Sequence, residues 1–355
     1  MSGRFLQLLL LASWLSVCFG LKLAAFNIQV FGRTKARKAE VLNTIVQILR
    51  RYDIVFIQEI RDRRDYAIRT LMRKLNAERK EYNIAVSKRL GRTHSKEQYA
   101  YLYRNIEEIT LNETYLVPDR SDVFEREPFA ALFSLQKTEI RQLVLIGIHV
   151  SPRRAQAEIN QLDEVREAMI TRWGVRDVII MGDMNADCRY LSQRRQNRLD
   201  LRTETENGGG THNYWLIPDN ADTTVSRTKC AYDRFIASGP HMPRGIINGS
   251  ARIFTFDAAY KLNYSQAIKV SDHYPIELEL KNRSKRYHDS AECLTEQEVD
   301  YRNKSLFQVK SIYRWQGNSS NQGSFLSLHY FYADVSFLLL WTLVINIFYI
   351  PYKLL

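Results

Sequence analysis

The sequence lacks the motifs of the common zinc enzymes. It contains neither H-E-x-x-H nor a C-x-x-C pair, and its four cysteines lie far apart along 355 residues. A tetrahedral zinc site is therefore not expected. No internal repeat is evident either.

Acidic residues are in relatively short supply. The chain has 39 aspartates and glutamates against 51 lysines and arginines, which gives a formal net charge of +12. This charge predicts an anionic partner, and nucleic acid and an acidic membrane surface both satisfy the condition. Apolar residues make up 45% of the chain and charged residues 25%, which is an ordinary globular balance.

The first twenty residues, "MSGRFLQLLLLASWLSVCFG", predict a secretory signal. Arg4 precedes a short apolar region, and Gly20 is a small residue at which cleavage before Leu21 is expected. The stretch is too short for a stable membrane span. The interpretation places the chain in the secretory pathway.

The other end of the chain leaves three alternatives open. Residues 282–330 are polar and linker-like, and residues 331–355 are apolar from Val335 to Ile350, with Asn346 inside that run. Small residues at 318–320, followed by a polar spacer and an apolar tail, favour a removed signal for a glycolipid anchor. A single membrane span is the second alternative, and neither is the third. The protein is expected to be extracellular or attached to the cell surface.

Secretion changes how the cysteines are interpreted. Cys18 leaves with the signal, and Cys188 and Cys230 could close a loop of about forty residues, worth roughly 3–4 kcal/mol in the chain-entropy model. Cys293 would then be left over, either free or paired with another chain. Six N-x-S/T sequons agree with this route: Asn112, Asn248, Asn263, Asn282, Asn303 and Asn318.

Between residues 21 and 281 apolar strands alternate with helical stretches. The segments "LKLAAFNIQVF", "DIVFIQEIR", "QLVLIGIHV" and "DVIIMGDMN" are typical of buried strands. In contrast, "EVLNTIVQILRRY", "YAIRTLMRKLNAE" and "AEINQLDEVREAMITRW" have the spacing of helices. The alternation predicts a mixed α and β domain in which stacked sheets are covered by helices.

Polar residues follow or interrupt these strands with unusual regularity. They are Asn27, Glu59, Arg61, Glu97, His149, Asp183, Asn185, Asp233, Asp272 and His273. A single residue of this kind is usually a cap or a satisfied core group, because burying a polar group without a partner costs about 1–3 kcal/mol. So many of them, with two histidines among five carboxylates, predict one polar centre.

Such a centre suits phosphodiester hydrolysis. The reaction needs a base for water, an acid for the leaving oxygen, and positive charge on the phosphoryl oxygens. Two imidazoles oriented by carboxylates could form the acid–base pair. Hard carboxylate and amide oxygens would hold Mg²⁺ or Ca²⁺.

The motifs "LKLAAFNIQVFG", "YDIVFIQEIRD", "LGRTHSKEQYAYLYR", "EREPF", "MGDMNADC", "CAYDR" and "VSDHYPIELEL" resemble the successive motifs of the deoxyribonuclease I family. The resemblance covers roughly Leu21 to Leu280. It implies an α/β (α+β) sandwich of four layers, in which two packed mixed β-sheets are flanked by helices. It also implies a monomeric endonuclease that cuts double-stranded DNA with little sequence preference and uses Mg²⁺ or Mn²⁺, with Ca²⁺ in a supporting role.

The resemblance assigns roles position by position. His149 with Glu97 and His273 with Asp233 would be the acid–base pairs, while Asn27, Glu59, Asp183 and Asp272 would surround the metal and the phosphate. Asn185 would donate to the phosphate, and Arg61, Arg92 and Arg126 would contact DNA. Two loops resemble calcium sites, one at Asp222 and Thr224 and one at Asp122, the Phe124 carbonyl and Glu127; plain Asp-rich turns are the alternative for both.

Two departures from the family pattern affect the expected partners. Ser95 stands where the family pattern has a tyrosine that packs against the sugar, so affinity or cutting preference is expected to differ. Ile84 replaces a tyrosine in the surface that actin grips, which makes inhibition by actin doubtful. Two other functions stay open: a related phosphodiesterase acting on a lipid or nucleotide, and a catalytically silent protein that binds nucleic acid through its basic face.

Overall fold

The apolar runs of the sequence form strands in a computed structural model, which describes residues 20–78, 81–203 and 212–283. Within these residues the first sheet contains β1 (Leu21–Phe31), β2 (Ile54–Ile60), β3 (Tyr82–Val86), β4 (Gln98–Arg104), β11 (Arg252–Ile253) and β12 (Ile276–Leu280). The second contains β5 (Ile109–Leu116), β6 (Phe129–Leu135), β7 (Gln142–Gly147), β8 (Val178–Asp183), β9 (Asn213–Trp215) and β10 (Asp233–Ser238).

Both sheets are mixed, and each has one parallel pair near its centre. The strand orders are β11-β12-β1-β2-β4-β3 and β5-β6-β7-β8-β10-β9. β1 runs parallel to β2, and β7 runs parallel to β8, whereas the other pairs are antiparallel. Parallel neighbours bring their carboxyl ends to one edge. The polar residues near the carboxyl ends of these four strands are therefore gathered at one edge of each sheet.

Helices cover the outer faces of the two sheets. They are α1 (Arg33–Ala36), α2 (Ala39–Leu49), α3 (Tyr66–Leu75), α4 (Ala155–Trp173), α5 (Gln193–Gln196), α6 (Asp200–Thr203), α7 (Met242–Gly245), α8 (Phe256–Ala259) and α9 (Tyr264–Val270). The apolar faces of α2, α3 and α9 bury residues against the first sheet, and α4 does so against the second. The four-layer sandwich expected from the sequence is confirmed.

The core between the sheets is rich in aromatic residues. Phe56 packs with its ring centroid 5.0 Å from that of Tyr101, and Tyr101 lies 6.1 Å from Phe133. A Cβ at Gly147 would lie 2.1 Å from the Phe56 ring, so a larger residue there would push the sheets apart. Aromatic side chains of this size bury 150–250 Å² each, and their burial is the main force holding two sheets together.

Several elements were not predicted from the sequence. The strands β5, β6, β9 and β11 and the helices α8 and α9 belong to this group. In the part of the chain that the structure describes, no helix is long and apolar enough to cross a membrane. The signal up to residue 19, Cys293 and the predicted anchor at 331–355 lie outside the described residues, as do Asn303 and Asn318, so the expectations about them stay predictions.

Candidate active site

The polar residues lie close together near the carboxyl ends of β1, β2, β7 and β8. Asn27 lies near the end of β1, Glu59 near the end of β2, and Asp183 ends β8. His149 follows β7 by two residues. Because these strands belong to two sheets that pack face to face, side chains 156 residues apart touch: the Asn27 Nδ2 donates to Asp183 Oδ2 at 3.1 Å.

The first histidine–carboxylate pair joins His149 and Glu97. The His149 Nδ1 lies 2.6 Å from Glu97 Oε1, and both residues are buried. Burial opposes ionisation of Glu97, but His149, Arg126 and Arg61 outweigh it and hold its pKa at about 2. Burial and Arg126 likewise oppose protonation of His149, yet Glu97 and Asp183 raise its pKa above the usual value. Glu97 therefore fixes the imidazole with Nδ1 inward and Nε2 toward the cleft.

The second pair joins Asp233, the first residue of β10, to His273, which lies just before β12. The His273 Nδ1 lies 2.8 Å from Asp233 Oδ2, which also accepts a hydrogen bond of 2.8 Å from the Thr223 hydroxyl. Burial disfavours the charged imidazole, but Asp233 and Asp183 raise the pKa of His273 well above its usual value. The Ser271 hydroxyl accepts the His273 backbone N–H at 3.1 Å and so orients the strand entry.

Asp183 lies between the two histidines. Its Oδ2 is 3.3 Å from His149 Nε2 and 3.6 Å from His273 Nε2. The Nε2 atoms of both imidazoles therefore lie close to the same oxygen atom. A phosphate placed at this point would have one nitrogen for the attacking water and one for the leaving oxygen.

Glu59 and Asp272 extend the centre with further oxygen donors. Glu59 receives Asn27 Nδ2 at 3.3 Å and the Val30 backbone N–H at 2.8 Å. Burial, and the nearby charge of Glu59, raise the pKa of Asp272. The Asp272 Oδ1 is buried and has no hydrogen-bond partner among the described residues.

The donor set fits a hard divalent cation. The buried carboxylates repel one another, and one of their oxygens has no hydrogen-bond partner among the described residues. A bound Mg²⁺ or Ca²⁺ would offset this repulsion and coordinate that oxygen. Asp183, Asp233 and His273 also place three potential ligand atoms within 4.8 Å of one another. However, Asp233 and His273 are already hydrogen-bonded to each other. The better ligand set for such a cation would therefore be Glu59, Asp272, Asn27 and Asp183.

Two arginines line the same cleft. Arg61 lies 3.1 Å from Glu59 and 3.3 Å from Glu97. The Arg126 Nε lies 3.0 Å from Glu97 Oε1 and donates to the His149 carbonyl at 3.1 Å. The Arg61 guanidinium also reaches the Ser95 hydroxyl at 3.2 Å. Both cations therefore border the place where a phosphate would lie.

Arg92 is engaged elsewhere. Its guanidinium donates to Asp122 Oδ1 at 2.8 Å and to the Phe124 carbonyl at 3.0 Å. These are two of the oxygens expected to bind Ca²⁺ in this loop. The Arg92 guanidinium therefore occupies the position that the calcium ion would take. The donor arrangement does not favour a calcium ion at that point, and a DNA contact by Arg92 stays a prediction.

The other expected calcium loop is rich in oxygen. Thr224 donates its hydroxyl and its backbone N–H to Asp222 Oδ1, at 2.8 and 3.1 Å, and its hydroxyl also contacts the Thr228 carbonyl. The neighbouring Thr223 supports Asp233. The predicted disulfide between Cys188 and Cys230 is present and closes this loop. Asn185, for its part, donates its side-chain amide to the Val150 carbonyl at 2.9 Å.

Three buried residues that hold the centre in place were not predicted from the sequence. Glu158 on α4 accepts the backbone N–H of Glu125 at 3.1 Å and of Ser151 at 3.0 Å. It thus joins the segment before Arg126 to the segment after His149. Burial raises its pKa to about 7, although the two N–H groups and Arg126 oppose the shift. A charged residue on the apolar stripe of a helix was the available signal.

Gln58 and Tyr99 play similar parts. Gln58 accepts the Asp183 backbone N–H at 3.1 Å, and the Tyr99 hydroxyl accepts that of His149 at 3.0 Å. A Cβ at Gly182 would lie 2.1 Å from the Ile148 carbonyl oxygen and 2.6 Å from Gln58, so this position requires glycine. Gln58 was detectable as a polar residue within a fully buried strand.

Backbone strain is concentrated at the same edge. Val30, Glu59 and Asn185 have φ values of 48°, 60° and 46°, in the left-handed region. Such conformations cost about 1–3 kcal/mol each and persist where the surrounding structure enforces them. Their clustering agrees with a functional centre.

Comparisons with known proteins agree with this geometry. A model described as the endonuclease/exonuclease/phosphatase family matches residues 24–273. Deoxyribonuclease-1 of Bos taurus is 40% identical over 279 residues, covering 77% of this chain and 96% of the relative. Deoxyribonuclease-1 of Homo sapiens is 40% identical over 280 residues, covering 77% and 97%.

A solved structure shows the same fold at lower similarity. The human Nocturnin catalytic domain with a bound sulfate anion has a TM-score of 0.52 at 13% identity, and the match covers 74% of this chain and 95% of that one. The identity of about 40% to the bovine and human deoxyribonucleases extends over nearly their whole length. The chain therefore belongs to the deoxyribonuclease I family, within the endonuclease/exonuclease/phosphatase family.

Proposed function

We propose that the protein is a secreted, divalent-cation-dependent endonuclease that nicks double-stranded DNA with little sequence preference. The observation that carries the proposal is the position of His149 and His273. Each is backed by a carboxylate, and their Nε2 atoms lie 3.3 and 3.6 Å from one oxygen of Asp183. Two proton-transfer groups facing one point suit the cleavage of a single P–O bond.

In this proposal the chain's own groups move the protons. One imidazole takes a proton from the attacking water at Nε2 while the other gives a proton to the leaving oxygen. Glu97 and Asp233 accept a hydrogen bond from the Nδ1 proton of each ring, so that Nε2 is unprotonated in the base and protonated in the acid, and they stabilise the imidazolium form. Arg61 and Arg126 would attract the phosphate, and Asn185 would donate to it after releasing the Val150 carbonyl.

A divalent cation held by Glu59, Asp272, Asn27 and Asp183 would supply positive charge to the phosphoryl oxygens. The raised pKa of Asp272 is consistent with a cation-binding position, since burial and Glu59 disfavour its charge in the absence of one. Ca²⁺ at Asp222 and Thr224 would brace the loop that carries Thr223 and hence Asp233.

Low sequence preference follows from the kind of contact available. Arginine contacts to phosphates position a duplex but carry no sequence information. The excess of basic residues, 51 against 39 acidic ones, favours such contacts through the release of counterions from DNA. The predicted signal at residues 1–20 and the apolar tail at 331–355 support a secretory route with possible attachment to the cell surface, by a glycolipid or by a span.

Relaxation of a supercoiled plasmid tests the proposal. We expect the purified chain to convert supercoiled DNA into the open circle before the linear form, in Mg²⁺ and not in chelator. Sphingomyelin and a small phosphodiester should be assayed in parallel. Hydrolysis of either without nicking would instead favour a related phosphodiesterase, and DNA binding without nicking would favour a silent binding protein.

A further inference from the structure

The edge strand β5 has a sequence that favours aggregation if the edge is left uncovered. Its eight residues, "ITLNETYL", contain no proline and no glycine, and four of them are β-branched or aromatic residues that favour strands. Glu113 is its one charge, and Arg172 pairs with it at 2.5 Å. A nearly neutral edge of this composition is a template for pairing with another chain.

β5 is also the longest edge of the sandwich. The other three edge strands in the described residues, β3, β9 and β11, have five, three and two residues. A sheet edge of eight residues needs a protective device, such as a bulge, a charge or a cover. The bulge is present: the register with β6 shifts between Leu111 and Glu113.

Asn112 is the extra residue of that bulge, and it begins the sequon Asn112-Glu113-Thr114. Asn112 and Thr114 are both exposed. The Asn112 Oδ1 accepts the Ser134 hydroxyl at 2.9 Å, whereas its Nδ2 donates no hydrogen bond within the described part of the chain. Glycan attachment modifies Nδ2 and leaves the carbonyl oxygen intact, so the fold would lose no contact.

The other sequons in the described residues are less suited to this task. Asn248 lies in the turn after α7, and its Ser250 is buried and bonded to the backbone of Glu279. Asn263 caps α9 with its Oδ1. Asn282 forms a bridge with Thr138. None of these positions lies on an eight-residue edge.

We propose that Asn112 is N-glycosylated and that this glycan covers the β5 edge, preventing edge-to-edge association of the folded protein. A branched, hydrated oligosaccharide at the bulge blocks the approach of a second strand along the whole edge. The inference rests on the secretory route of the proposed function, since the transfer occurs in the secretory pathway. Two strands, β6 and β7, lie between β5 and β8, which carries Asp183 of the candidate active site.

The test uses the full chain, expressed with its own N-terminus in cultured animal cells, and compares wild type with Thr114→Ala and Thr114→Ser. Thr114→Ala removes the sequon without touching Asn112, while Thr114→Ser retains it. Peptide mapping after glycosidase treatment should show Asn112 modified in wild type and in the serine variant, and unmodified in the alanine variant. Secreted wild type with an unmodified Asn112 would overturn the proposal.

Light scattering of the purified proteins tests the effect on association. Thr114→Ala and enzymatically deglycosylated wild type should aggregate several-fold faster than wild type. Asn248→Gln, which removes a sequon from a turn, should behave like wild type. Equal aggregation of Thr114→Ala and wild type would overturn the protective role. Plasmid nicking measured on the same samples separates this outcome from a failure of the proposed nuclease activity, because nicking should be the same with and without the Asn112 glycan.

Discussion

At the scale of single residues, the centre depends on how each carboxylate is held. Glu97 is the clearest case, because His149, Arg126 and Arg61 surround it and outweigh the effect of burial on its pKa. Asp183 lies close to the Nε2 atoms of both imidazoles, and Asp233 is hydrogen-bonded to the Nδ1 of His273. The strand-end polar residues were predictable because each interrupts an apolar run. Their partners, such as Glu158 for the segment of His149, depend on tertiary packing that no local pattern reveals.

Glu97 should contribute stability that acid removes. Its pKa is 4.5 in an unfolded chain and about 2 when folded, so its stabilising effect is complete above pH 4.5 and is lost as the pH falls toward 2. The Glu97→Gln variant should be less stable at neutral pH and should show a flatter dependence of unfolding free energy on pH in that window. Urea unfolding at several pH values measures this, with exposed Glu107→Gln as the control. Parallel curves for wild type and Glu97→Gln would contradict the account.

Glu158 should act as a positioning residue for Arg126 and His149. Glu158→Gln keeps one acceptor oxygen and turns an NH₂ group toward the other backbone N–H, so one of the two hydrogen bonds is lost. A hydrogen bond to a charged group is worth about 1.5–3 kcal/mol. Displacement of both segments should lower kcat/KM for plasmid nicking by roughly 10- to 100-fold. Glu164→Gln, at an exposed position on the same helix, should change nothing. A Glu158→Gln protein with reduced stability but unchanged kcat and KM would show a structural role alone.

At the scale of elements, long amphipathic or buried segments were predictable and short ones were not. The helix Ala39–Leu49 follows directly from its periodicity, and the strand Ile54–Ile60 follows from a short apolar run rich in β-branched residues. In contrast, "FAALFSL" of β6 is an apolar run without alternation, which is ambiguous between strand and helix. β9 and β11 have three and two residues, too few for any period to show. Their pairing is set by neighbouring strands.

A disulfide bond constrains the segment between β8 and β10. The Cys188–Cys230 disulfide spans a separation of 42 residues, and the closed loop carries Thr223, which supports Asp233. Reduction should lower the free energy of unfolding by roughly 4 kcal/mol in the chain-entropy model. Urea unfolding with and without reductant measures the change. A double Cys188→Ala, Cys230→Ala variant should be as unstable as the reduced protein and insensitive to reductant; a further effect of reductant on it would contradict this explanation.

At the scale of the whole molecule, the sandwich and all the residues of the candidate site lie between residues 20 and 283. Both sheets are formed, and their edges assigned, within these residues. A chain ending after Arg283 should therefore fold and nick naked plasmid with the same specific activity as the full-length chain. Comparing the two proteins on plasmid DNA measures this. Loss of activity on truncation, with folding intact, would place an essential group in the C-terminal segment.

The most direct test of the central claim is the nicking rate of His149→Ala, His273→Ala and the double variant at saturating plasmid and Mg²⁺. If the two imidazoles act on one phosphate, each single substitution should lower kcat by about 10²- to 10⁴-fold. The double substitution should cost little more than the worse single one, because residues that act as a unit are not additive. Nicking at the wild-type rate by either single variant, with the fold intact, would contradict the account.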